Sequence, residues 1–317
     1  MKVYGPHVPV LLSEVLESLN LAEGNIAVDG TLGQGGYTSE LLTLVGPTGQ
    51  VVSFDLDREA IANAQTRFAA EIGEGRLHLL NQPFDAWERM TEATQGAQPH
   101  AFVLDLGLST HHLTHAQRGF SFGEDAPLDM RFGDDLDRPT AADVLGSQSE
   151  EELADIFYQF GELRNARVLA KEVVAARPLV RTTDLVEAAM RAKRGAERRE
   201  RYLAKVFQAV RIAVNDELGV LERALNTAMH QLAPGGRIAV VSYHSLEDRL
   251  VKQLFQEASR DCVCPPESPI CTCDTTPSIK VITSSPRTPS EEEVHTNPKA
   301  RSAKLRVAER LTPTSRH

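Results

Sequence analysis

Between a short apolar run, Ile26 to Asp29, and a stretch with helical spacing, Thr38 to Val45, the chain carries Asp29-Gly30-Thr31-Leu32-Gly33-Gln34-Gly35-Gly36. A Gly-rich turn placed there is the joint of a βα unit, and it commits the segment to an α/β sheet. The rest of the first third keeps the same rhythm. Gly49 opens a strand, Gln50 to Asp55; Glu59 to Ile72 has helical spacing; Leu77 to Leu80 and Ala101 to Asp105 are further short apolar runs. Strands alternating with helical patterns imply a parallel sheet with helices on both faces.

The rhythm stops after Asp105 and resumes near Asp216, where Leu218, Leu221, Leu225, Met229 and Leu232 recur at helical intervals. Pro234, Gly235 and Gly236 stop that helix before a strand, Arg237 to Ser242. The residues between read as an insertion: an acidic, turn-rich stretch from Gly123 to Pro139, then helices, the first opened by Ser149 and Glu152 in a capping-box spacing. Beyond Cys262 the chain is rich in Pro, Ser and Thr, with strand candidates at Ile279 to Thr283 and Lys304 to Glu309. The expected division is 1–112 and 213–317 for the sheet domain and 113–212 for a helical insertion. With 41% hydrophobic and 25% charged residues in 317, the composition is that of a globular protein with more than one core.

The N-terminal apolar stretch, Val8 to Leu12, is too short and too interrupted for a secretory signal or a membrane span. All four cysteines lie between Cys262 and Cys273, so no disulfide would join distant parts of the fold, and a reducing compartment is expected. Cys262-x-Cys264 and Cys271-x-Cys273 could give four thiolates to zinc, but the usual spacing is Cys-x-x-Cys and no metal is assigned from sequence. The net charge of −10 argues against nucleic-acid binding by bulk electrostatics, yet its distribution is uneven. From Gly161 to Arg211 thirteen Lys or Arg stand against six acids, a surplus of seven positive charges that reads either as a binding surface or as a solvated helix face.

Asp55 ends the second strand about twenty residues beyond the glycines, the offset of a carboxylate that accepts from ribose hydroxyls. Loop and carboxylate together suit an adenosine dinucleotide or S-adenosylmethionine. The spacing departs from G-x-G-x-x-G, and Asp29 could accept from a ligand ammonium group, which favours the methyl donor.

Several stretches together resemble one family, the RsmH (MraW) 16S rRNA cytosine-N4 methyltransferases. They are His7-Val8-Pro9-Val10-Leu11-Leu12, the Asp29 to Gly36 loop, Asp105-Leu106-Gly107-Leu108-Ser109, Gly119-Phe120-Ser121-Phe122 and Pro127-Leu128-Asp129-Met130-Arg131. Phe207-Gln208-Ala209-Val210-Arg211-Ile212, Pro234-Gly235-Gly236-Arg237, Ser245-Leu246-Glu247-Asp248-Arg249 and Asn297-Pro298-Lys299-Ala300-Arg301-Ser302 complete the set, in order along nearly the whole chain. The resemblance implies a class I, Rossmann-like S-adenosylmethionine-dependent methyltransferase sheet interrupted by an all-helical subdomain. The expected protein is cytoplasmic and acts on a P-site cytidine of 16S rRNA in the small ribosomal subunit, with no membrane partner. Its donor-binding positions fall on Gly35, Gly36, Tyr37, Asp55, Phe84, Asp105 and His112. Tyr37 stands where the family commonly has His, and His112 where it commonly has Gln, with Thr114 in place of a following Asp.

A cytosine N4 lone pair is delocalised into its ring, so acceptors must orient the amine toward the methyl group, and no strong base is required. Ser109 and Asp129 are the catalytic candidates for that contact, and Phe120 or Phe122 the candidates for stacking on an extruded base or, equally, for filling a core. His244, leaving the strand after Gly236, reads as a base or as a histidine bonded within the fold. A NAD-linked oxidoreductase would use the same sheet but finds no hydride-transfer site after Asp105; a non-catalytic assembly factor would not need the donor loop.

Overall fold

A computed structural model of the chain describes residues 9–107, 118–133, 138–264, 273 and 275–312. It divides into two compact units, one from Met1–Gly107 with Leu218–His317 and the other from Leu108–Glu217.

The first unit holds a seven-stranded sheet: β1 (Ile26–Asp29), β2 (Gln50–Phe54), β3 (Leu77–Leu80), β4 (Ala101–Asp105), β5 (Arg237–Ser242), β6 (Ile279–Val281) and β7 (Lys304–Arg310), in the order β3-β2-β1-β4-β5-β7-β6. Strands β1 to β5 pair in parallel. Successive side chains point to opposite faces, and here both faces are covered, which is why the strands read as unbroken apolar runs. Ala27, Val51, Val103 and Ala239 face one core with α1 (Leu12–Leu19), α2 (Gly36–Val45) and α3 (Arg58–Arg67). Val28, Val52, Phe102 and Ile238 face the other, filled by α5 (Trp87–Ala93), α11 (Glu217–Gln231) and α12 (Ser245–Ala258). This is the doubly wound α/β sheet of the expected class.

Three local readings change. The helical pattern from Glu59 to Ile72 is two helices, α3 and α4 (Ala69–Gly73), broken at Phe68, whose ring packs under Gly35. The two strand candidates of the tail, whose direction the sequence left open, are antiparallel: β7 runs between β5 and β6, an arrangement that needs no crossover helix. The Ser- and Pro-rich tail also contains a helix, α13 (Glu291–Thr296), whose Ser290 hydroxyl accepts from the Glu293 amide. Glu293 in turn accepts from the Leu11 amide at 2.8 Å, tying the tail to the start of α1.

The second unit is helical: α6 (Ala141–Ser147), α7 (Glu150–Gln159), α8 (Ala166–Ala175), α9 (Thr182–Ala192) and α10 (Arg199–Asn215). Thr140 with Asp143 and Ser149 with Glu152 form reciprocal capping boxes at two of their starts. Leu153, Phe157, Leu169, Val173, Leu185, Leu203 and Val210 meet in one core.

Ahead of these helices a clasp is built from two of the family-like stretches. Met130, in the left-handed region and fully buried, donates its amide to the Arg118 carbonyl, while Asn215 at the end of α10 donates to the Met130 carbonyl and accepts from the Phe132 amide. Gly119 closes the clasp at a φ of 73°, and a Cβ there would lie 2.3 Å from the Pro127 carbonyl oxygen. Backbone cannot retreat as a flexible side chain can. Gly119→Ala is therefore expected to destabilise the protein by about 1–3 kcal/mol, read as a lower midpoint in chemical denaturation; an unchanged midpoint would show that the clasp is not rigid.

Candidate active site

The sheet order places the carboxyl ends of β2, β1 and β4 side by side, and each carries an aspartate: Asp55 directly after β2, Asp29 closing β1 and Asp105 closing β4. Open α/β sheets bind ligands at this edge.

Asp29 has no exposed surface. Its Oδ1 accepts from the Thr31 amide at 3.0 Å and its Oδ2 from the Thr38 hydroxyl at 2.7 Å, and Thr38 lies 2.8 Å from the Ser53 hydroxyl on β2. Burial raises the Asp29 carboxyl above its ordinary range against the pull of those bonds. Both oxygens are engaged within the protein, and the side chain shapes the loop from within.

Asp55 accepts from the Gly33 amide at 2.8 Å through Oδ2 and from the Asp57 amide at 2.9 Å through Oδ1, while Asn81 donates to its carbonyl at 2.9 Å. Burial pushes its carboxyl up to about 6. Asp105 donates its amide to the Thr31 hydroxyl at 2.8 Å and accepts from the Tyr243 phenol at 2.7 Å, and burial pushes its carboxyl up to about 7. The Tyr243 phenol is raised by its own burial and by the Asp105 charge. None of the three carboxylates has an ion-pair partner among the described residues.

The glycines between them do different jobs. A Cβ on Gly30 would strike the Leu104 side chain at 2.4 Å, on Gly35 the Phe68 ring at 2.7 Å, and on Gly36 the Pro9 ring at 2.4 Å, so these three are required by the protein's own packing. A Cβ on Gly33 would meet only the Thr31 carbonyl oxygen at 3.9 Å, an ordinary contact, so packing does not require that glycine. Gly35 caps α2 in the left-handed conformation, so the first-turn amides of α2, from Gly36 onward, point out of the loop, as helix N-termini do toward anionic or polar groups. Tyr37 is almost fully buried with its hydroxyl on the Val10 carbonyl, which leaves only its backbone to the loop. Phe84, after β3, packs its Cβ beside Gly30. His244 caps α12, its Nδ1 accepting from the Glu247 amide at 3.4 Å; its Nε2 lies 3.0 Å from Glu247 Oε1 but out of line for a hydrogen bond.

Ser109 and His112 lie outside the described residues. Asp129 belongs to the second unit, where both its oxygens accept from the Arg131 guanidinium at 2.8 Å. Burial raises the Asp129 carboxyl, and the Arg131 bonds more than offset that, holding it below the ordinary range. Phe120 stacks on Phe132 with ring centroids 5.7 Å apart, and Phe122 meets Phe207 edge to face, so both rings serve the core of the helical unit.

Thr31, Thr38 and Tyr243 were not singled out from sequence. Their signal is only the polar residue type beside a strand end, since the partners lie as far apart as Asp105 and Tyr243. The donor set they complete fits S-adenosylmethionine: buried carboxylates without cations suit a ligand that brings an ammonium group, a sulfonium and a ribose diol.

The family model described as the MraW methylase family matches residues 5–311. The chain belongs to this family. Among its relatives, the ribosomal RNA small subunit methyltransferase H of Carboxydothermus hydrogenoformans is 44% identical over 96% of this chain and 98% of its own length. The protein of the same name from Geobacter sulfurreducens is 44% identical over 96% and 99%. An rRNA methylase structure from Streptococcus thermophilus aligns at 12% identity with a TM-score of 0.43, covering 98% of this chain and 100% of that one.

This methylase is an S-adenosylmethionine-dependent methyltransferase. Its affinity for the donor should depend on pH through Asp55. A carboxylate accepts from both ribose hydroxyls and a protonated carboxyl does so poorly, so affinity should fall as the pH drops through about 6. Titration calorimetry with S-adenosylhomocysteine between pH 5 and 8 checks this. Asp55→Ala should weaken binding by about 1.5–3 kcal/mol near neutrality and remove the acidic step; unchanged affinity would exclude the contact.

Proposed function

We propose that this methylase transfers a methyl group from S-adenosylmethionine to the N4 amine of a P-site cytidine in 16S rRNA of the small ribosomal subunit, in the cytoplasm. The observation that carries the reading is the near full-length match to relatives named ribosomal RNA small subunit methyltransferase H. Among the described residues no helix is long and apolar enough to cross a membrane.

The donor, when bound, supplies an electrophilic methyl on its sulfonium. The chain's own residues hold and orient. Asp55 takes the ribose hydroxyls, Gly35 turns the chain so that the first-turn amides of α2 at Gly36 and Tyr37 are offered, and Phe84 and Asp105 complete the pocket, with Tyr243 fixing the Asp105 carboxylate by its 2.7 Å bond. On the acceptor side Asp129 and Ser109 accept from the N4 hydrogens, turning the nitrogen lone pair toward the methyl carbon. The N–C bond forms as the S–C bond breaks, and the cationic amine then releases a proton to solvent. Asp129 suits this role because Arg131 keeps it ionised, hence an acceptor, across the working pH range. His112 stands with the donor contacts on the strength of the family resemblance.

Unmodified 30S particles incubated with labelled donor and mapped by mass should carry one added methyl, on a single P-site cytidine; label at another base would reject the assignment. Asp129→Asn should keep donor affinity while lowering turnover by about 10–100-fold, and a variant that instead lost donor binding would move Asp129 out of the acceptor role.

The basic segment is proposed to supply most of the RNA affinity. Arg194, Arg198, Arg199 and Arg201 are all exposed, around the start of α10. Only Arg201 of the four has a carboxylate near, Glu197 at 3.5 Å, among the described residues, and that pair is open to solvent and worth little. Replacing all four by Gln should weaken 30S binding and flatten its salt dependence by about 0.9 log units for each phosphate that is no longer neutralised, without changing donor affinity. A wild-type salt slope in that variant would mark the arginines as a solvated helix face.

A further inference from the structure

We propose that Cys262, Cys264 and Cys273 are thiolate corners of a structural zinc site that closes the long excursion between α12 and β6. The sulfur atoms of these three residues lie within 4.8 Å of one another. Cys262 and Cys273 sulfurs are 3.7 Å apart, too far for a disulfide. Four sulfurs at about 2.3 Å from a tetrahedral zinc stand about 3.8 Å from each other. The observed separation is that edge length.

The surrounding backbone supports thiolates. The Cys264 amide points at the Cys262 sulfur and the Val263 amide at the Cys273 sulfur, each at 3.4 Å. Amide donors of this kind stabilise negative sulfur and fix ligand orientation, as outer-shell groups do around metals. The short Cys-x-Cys spacing, unusual for zinc, is accommodated because the second amide bends back to the first sulfur. The three sulfurs account for three of the four positions of a tetrahedral zinc.

The site has a mechanical reason to exist. The Ser278 amide donates to the Ala258 carbonyl at 2.9 Å, so the excursion leaves and rejoins the sheet domain at one point. Beyond that foot the segment holds no helix or strand among the described residues, and Val263 is 59% exposed, so apolar burial does little to order it. Long loops without secondary structure are held by something other than a core. A metal a few residues inside each foot supplies that hold, and zinc is suited to a tetrahedral set of soft thiolates.

The test is the metal content of the full-length chain, purified under reducing conditions and reconstituted with zinc sulfate. Mass spectrometry of the metal after gel filtration should find about one zinc per chain, and Cys262→Ser with Cys264→Ser should lower it at least tenfold. S-adenosylhomocysteine binding by the double variant, expected to match wild type, shows that it has folded. A mercurial thiol reagent should release the zinc and expose residues 259–277 to proteinase K. Wild-type chain that binds S-adenosylhomocysteine but keeps no zinc, or a double variant that keeps the wild-type amount, would overturn the proposal.

Discussion

A carboxylate with no exposed surface is among the costliest groups a protein interior can hold, and Asp29 is one. Its two oxygens reach Thr31 and Thr38, Thr38 reaches Ser53 on β2, and Thr31 accepts from the Asp105 amide on β4. Gly33 adds the link to Asp55. One buried charge thus joins the ends of three strands and sets the path of the Gly-rich loop between them. Removing Asp29 would leave the Thr31 amide without its acceptor and cut the link between β1 and Thr38.

The same edge concentrates negative charge. Asp55 and Asp105 are raised toward neutrality because burial disfavours their ionised forms and no cation stands against them among the described residues. A ligand with fixed positive charge relieves that condition, and a neutral nucleoside relieves it less.

Much of the sheet was legible in the sequence, because strands buried on both faces leave apolar runs and the Gly-rich turns punctuate them. The observed β1, β3, β4 and β5 coincide with those runs, and β2 and β7 differ from them by one residue. What was hidden is what depends on pairs distant in sequence. The antiparallel course of β7 follows from its partners. Helix α13 was masked by the composition of the tail, although Ser290 ahead of three glutamates was a local signal of its start. At the site, Asp55 was singled out from its offset to the glycines, whereas the enclosure of Asp29 by Thr38 and Thr31 stayed hidden because no local pattern reveals those partners. Phe120 and Phe122 left core and stacking open in the sequence, and their ring partners Phe132 and Phe207 place them in the core.

The position of β7 bears on how the molecule is made. Strand β6 pairs with β7 and β7 with β5, so the sheet is complete only when residues 304–310 have been synthesised. The helical unit, by contrast, is one continuous segment of the chain. During translation the insertion can acquire its core while the two halves of the sheet domain that flank it are still waiting for their last strand. The sheet domain thus completes its pairing only after the helical segment has been made, and its β5 edge stays open to wrong partners until β7 pairs with it.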